Sequence, residues 1–175
     1  MEELRSFFKR KDVIISAHRY GIDAMGAMAQ GLFASLLIGT IIKTLGAQLG
    51  VPFLTDIGTY AMFVSGPAMA IAIGYALQAP PMVLFSLAAV GYAADAEGGA
   101  GGPLAVYFIT IVASECGKIV SKETKVDILV TPIVTILVGI GLAMLVAALV
   151  IANTFQVLVA QRRRPSRPLR RRRCR

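Results

Sequence analysis

Between Ile128 and Asn153 the chain carries no charged residue, and Ile, Leu and Val make up most of the stretch. A helix needs about twenty apolar residues to cross a hydrocarbon layer of about 30 Å, and in lipid its backbone polar groups must bond within the segment. This run therefore reads as a membrane span, and the rest of the chain must fold in a way that accommodates it. The composition agrees: 56% of the 175 residues are hydrophobic, only 16% are charged and the mean hydropathy is +0.70. A soluble domain carries about 25% charged residues, so too little polar material is present to cover a water-facing surface.

The net charge of +8 and pI near 9.9 point elsewhere, toward an anionic partner. Its distribution removes that reading from the body of the protein. Residues 1–161 hold nine basic and ten acidic side chains, and the other nine arginines all lie in the last fourteen residues, RRRPSRPLRRRRCR. That tail has no periodicity and nothing to bury, so it reads as a solvated, disordered segment. No aromatic residue interrupts it to stack on a base, and nucleic acid is set aside as a partner. With two cysteines, Cys116 and Cys174, and one histidine, the chain has neither a disulfide framework nor a metal-ligand cluster; no metal and no cofactor is expected.

The pattern predicts an all-α, polytopic membrane helix bundle of about five hydrophobic segments. Residues 1–25 mix Arg5, Lys9, Arg10, Lys11 and Arg19 with apolar side chains and suit an interfacial helix lying on membrane lipid. The membrane domain is expected over 26–153, followed by the basic tail at 154–175. The spans are Gly26–Leu45, Ile57–Leu77, Met82–Ala94, Pro103–Val120 and Ile128–Asn153, the fourth being either a short span or a re-entrant segment. Pro80 and Pro81 break the second from the third, and Asp95, Glu97 and the run GGAGG break the third from the fourth. Small residues recur every fourth position in Ala27, Gly31, Ser35 and Gly39, in Gly66, Ala70 and Gly74, and in Gly139, Ala143 and Ala147. Such ladders let helix backbones approach closely in lipid. The basic residues before the first span and Lys118, Lys122 and Lys125 fall on one side by alternation, which predicts a cytoplasmic N-terminus. The same alternation puts the arginine tail outside, against the rule.

Polar groups at membrane depth mark function by default, because burying a charge there costs about 2.5–3.5 kcal/mol. Glu115, in IVASECGK, is the leading candidate for substrate contact, with an ion pair to Lys118 as the structural alternative. His18 is a second candidate, or an ordinary histidine at headgroup level. Gly98, Gly99, Gly101 and Gly102 offer irregular backbone of the kind that lines transporter cavities, and with Glu115 would form one wall of a site. No strand precedes this run and no Lys-Ser/Thr follows it, so it is not a phosphate-binding loop. Asp95 and Glu97 read as loop caps or as the lining of an entrance.

Three segments, SAHRYGIDAMGAMAQGLFASLLIGTIIKTLG (Ser16–Gly46), VSGPAMAIAIGYALQAPPMVLFS and KIVSKETKVDILVTPIVTILVGIGLAML (Lys118–Leu145), resemble the membrane subunit of a bacterial sugar phosphotransferase system. The likeness is to enzyme IIC-like permeases and covers about residues 10–145. It implies an inner-membrane permease that binds a sugar or polyol within its helices, while a cytoplasmic IIB partner donates phosphate from a phosphocysteine to a substrate hydroxyl. The chain would then be at most the membrane subunit of a protein-N(pi)-phosphohistidine-sugar phosphotransferase, with no catalytic residue of its own. The resemblance also implies that a glutamate and a histidine contact the substrate, roles open to Glu115 and His18. Members are about twice as long, and the likeness is expected to stop near Val146. This gives two expectations: a reading-frame shift behind the Arg/Pro-rich end, and, as an alternative to transport, a truncated, non-transporting scaffold or regulator. A homodimer that replaces the missing half is a further alternative.

Overall fold

The computed structural model describes residues 16–121 and 127–162, and among these every regular element is helical. Helix α1 runs continuously from Arg19 to Leu49, with two π turns, Arg19–Asp23 and Phe33–Leu37. It ends at Gly50, whose φ of +67° is the left-handed conformation that glycine adopts without a Cβ clash. Pro52 opens α2 (Pro52–Phe63), where its missing N–H is no loss. Helix α2 folds back along the second half of α1: an added Cβ on Gly58 would meet Lys43 and Gly39 backbone, and one on Gly46 would meet Thr55.

The chain bends by 46° at Val64 before α3 (Ser65–Ala76). The cause is legible in VSGP: Pro67, in the first turn of α3, has no N–H to donate back across the bend and its ring crowds the preceding turn. Gln78, at φ 57°, turns the chain into α4 (Pro81–Gly98), which runs antiparallel to α3. Gly66 faces Gly91 closely enough that a Cβ on Gly66 would lie 2.5 Å from the Gly91 carbonyl oxygen. A single 3-10 turn, Gly99–Gly101, leads into α5 (Gly102–Val120), antiparallel to α4. Last comes α6 (Asp127–Arg162), parallel to α4, with Gly139 against Val90 and Thr135 against Gly117.

Helix α4 is the centre of the bundle, in contact with α3, α5 and α6. The core is built from Val83, Leu87, Val90 and Ala94 of α4 with Met69, Ala70, Val106, Ile109, Ala113 and Ala143 around them. Most of the expected small-residue ladders point into these contacts: Ala27, Gly31, Ser35, Gly39, Gly66, Ala70, Gly74, Gly139 and Ala143 are all buried. Their large apolar neighbours Phe33, Ile41, Phe85, Phe108 and Leu137 face outward, as lipid requires.

The all-α bundle stands, and its span count is lower than expected. Among the described residues three helices are long and apolar enough to cross a membrane, α1, α5 and the Asp127–Val157 part of α6, or four if α2 and α3 form one broken span. Helix α4 falls short because Asp95 and Glu97, expected in a loop, occupy its last turns. Three helices pack on it, and Asp95 is turned toward Gly66 and Gly102 of two of them, while Phe85 and Tyr92 stay on its outward face. The re-entrant alternative belongs to the bent α2–α3 pair, while Pro103–Val120 lies within a full-length apolar helix. The expected boundary at 153/154 falls inside α6. Most of the interfacial segment, Lys122 and Lys125, and nearly all of the arginine tail lie outside the described residues.

Candidate functional site

Hydroxyl groups inside an apolar bundle need a partner, and most here find one in their own helix. Ser35, Thr40, Thr44, Thr59, Ser86, Thr135 and Thr154 each donate to the carbonyl four residues earlier, at 2.7–2.9 Å. Helix α5 breaks this habit. Thr110 and Ser114 are fully buried and their hydroxyl oxygens have no partner. They share a stripe with Gly117, which packs on Val83 of α4 and Thr135 of α6.

Glu115 and Lys118 complete this cluster. The Lys118 ammonium donates to Glu115 Oε1 at 2.9 Å, with the lysine side chain 1% and the glutamate 14% exposed. Glu115 Oε2 is buried without a partner. The ion pair expected from the i,i+3 spacing is therefore present, yet it occupies only half of the carboxylate. An unpaired buried carboxylate oxygen, like each of the two unpaired hydroxyls, is costly unless water or a ligand supplies the missing bond. Chemically the cluster offers acceptors and rotatable donors to a molecule with several hydroxyls.

The other candidates lie elsewhere. Gly102 and Glu115 are at opposite ends of α5, about 20 Å apart along the axis at 1.5 Å per residue, so they do not share one wall. His18 stands exposed at the start of α1, and its ion contact, 3.5 Å, is with Asp23. Beside it Arg19 donates to the Leu77 carbonyl at 2.6 Å and the Tyr107 hydroxyl donates to the Tyr20 carbonyl at 2.5 Å. Gly98 packs near Ala105, an added Cβ on Gly101 would meet open space, and Gly99 lines a cavity of about 510 Å3 together with Lys43, Thr59, Ser65, Tyr92 and Asp95. Asp95 is held in place there: Ser65 donates to its Oδ2 at 3.2 Å, and a Cβ on Gly66 or Gly102 would collide with the Asp95 side chain. Sequence reasoning named the glycines and treated Asp95 as a loop residue. The signal that could have found it is the i,i+3 pair Tyr92–Asp95 ahead of the glycines. Among the described residues no group of three or more His, Cys, Asp or Glu side chains could hold a metal ion.

A bundle of long apolar helices with a broken helix, irregular glycine backbone and buried, half-paired polar side chains defines a polytopic membrane protein of the transport class. The sequence profile of the family described as phosphotransferase system, EIIC matches residues 22–160, and the chain belongs to that family. It is accordingly a membrane permease component of a phosphotransferase system and a multi-pass inner-membrane protein. The match extends past Val146, where the likeness was expected to end. No curated protein and no solved structure matches the chain.

Proposed function

We propose that this chain binds a neutral sugar or polyol between its helices and passes it to the cytoplasm as a phosphate ester, with the phosphoryl group supplied by a cytoplasmic IIB partner. The observation that carries the reading is the buried Glu115 Oε2, which has no hydrogen-bond partner. In this reading Lys118 holds Oε1, and Oε2 accepts a hydrogen bond from a substrate hydroxyl. Transfer breaks the partner's S–P bond and forms an O–P bond on the substrate, whose hydroxyl proton is released; the chain itself is never phosphorylated. The Lys118 end of α5 faces the cytoplasm, with the N-terminus, because Arg19 and Lys118 lie toward the same end of the bundle and Asp95 and Glu97 toward the other. A homodimer belongs to the same reading, since Phe53, Ile57, Phe63 and Leu149 expose apolar surface that lipid or a second copy would cover.

The test is uptake of labelled hexoses and hexitols by vesicles that contain the chain and are loaded with phosphorylated IIB protein. Label recovered inside as the phosphate ester, and lost with Glu115→Gln, is the expected result. Failure of the wild-type chain to accumulate any of them would favour the non-transporting scaffold.

A further inference from the structure

The cavity at the opposite end of α5 has no part in the cluster around Glu115. We propose that it is a separate recognition site for the unphosphorylated sugar or polyol, with Asp95 as its anchor; the inference rests on the transport reading above. Three independent features converge there. The bend at Val64 and the 3-10 turn Gly99–Gly101 both open onto it, so two stretches of backbone that are irregular in an otherwise helical bundle border one space. Non-helical backbone at membrane depth persists where it lines a cavity. The volume, about 510 Å3, falls within the range of sites that enclose a small molecule.

The lining determines what fits. Asp95 is wedged between Gly66 and Gly102, so its carboxylate is fixed by backbone, and Ser65 occupies only one lone pair of Oδ2. Tyr92, one helical turn before it, lies on the same face of α4 and is 58% exposed, leaving its ring free to cover the C–H face of a pyranose while the carboxylate takes hydroxyls. Lys43 and the hydroxyls of Ser65 and Thr59 line the same cavity. Thr59 already donates to the Thr55 carbonyl, so its oxygen is left as an acceptor. One acid and one base cancel; Lys43 is left to donate, and Asp95 and the Ser65 and Thr59 oxygens to accept. With no net positive charge to hold a phosphate, the cavity is complementary to a neutral polyhydroxylated molecule and not to its phosphate ester. The site therefore takes up substrate at the end of the bundle away from Lys118.

The experiment measures binding by titration calorimetry to the full chain in lipid nanodiscs, with glucose, galactose, mannitol, galactitol and their 6-phosphates as probes. At least one neutral probe binds the wild-type chain, none of the phosphates competes, and Asp95→Asn and Tyr92→Ala each weaken binding by about tenfold or more. Tyr92→Ala changes an outward-facing ring and serves if Asp95→Asn does not fold. Wild-type binding that survives both substitutions, or that a 6-phosphate matches, overturns the inference alone. A wild-type chain that binds none of the neutral probes overturns the transport reading beneath it.

Discussion

The two ends of the bundle hold a carboxylate in opposite ways. At the Val120 end Glu115 sits in the packed interior, tied to a lysine that is almost wholly buried, and its second oxygen is left without a partner. At the Gly102 end Asp95 borders an open cavity, held by a serine and by two glycines that leave room for nothing larger. The first arrangement keeps a charge in a dry place at considerable cost; the second aims a charge at a space that a molecule can enter. Glu115 of α5 and Asp95 of α4, which lies against Gly102, thus mark two polar stations about 20 Å apart, with the bundle core between them.

That contrast makes different demands on stability. Lys118→Met removes the ammonium paired with Glu115 and leaves a carboxylate buried, which should lower thermal stability in detergent by about 3–5 kcal/mol; adding Glu115→Gln should recover much of it, since the cost lies in the orphaned charge. A single mutant as stable as wild type would mean that the interior end is wet. A smaller loss, about 1–3 kcal/mol, is expected for Gly102→Ala, whose Cβ meets Asp95, while Gly101→Ala, facing open space, should leave stability unchanged. Equal losses at the two glycines would break the claim that Asp95 is clamped. Asp95→Asn keeps an acceptor for Ser65 and should cost no more than about 1 kcal/mol while impairing binding.

Much of the fold was legible because lipid leaves few alternatives for an uncharged apolar run. The helices near residues 26–45, 103–120 and 128–153 and most of the small-residue ladders follow from that constraint. What misled was polarity at a helix end. Asp95 and Glu97 look like a loop from sequence, yet α4 continues to Gly98, with Asp95 lodged against Gly66 and Gly102 of the neighbouring helices. The split of the second hydrophobic stretch was encoded in Pro67, and a hydropathy average passes over it. Glu115 was legible as a candidate from its charge alone. Its free oxygen was not, because that depends on which way Lys118 turns and on two hydroxyls that decline the back-bond made elsewhere. The cavity beside Asp95 was hidden for a related reason: Lys43, Ser65 and Tyr92 come from three helices that only the fold brings together.

The account requires the two stations to face opposite sides of the membrane. Single cysteines at Glu97 and at Ala17, exposed beside Arg19 at the Lys118 end, in a chain with Cys116 and Cys174 changed to serine, can be probed in intact cells with a membrane-impermeant maleimide. The expected result is labelling at position 97 in intact cells and at 17 only after permeabilisation. Labelling of both positions from the same side would contradict a substrate path along α5.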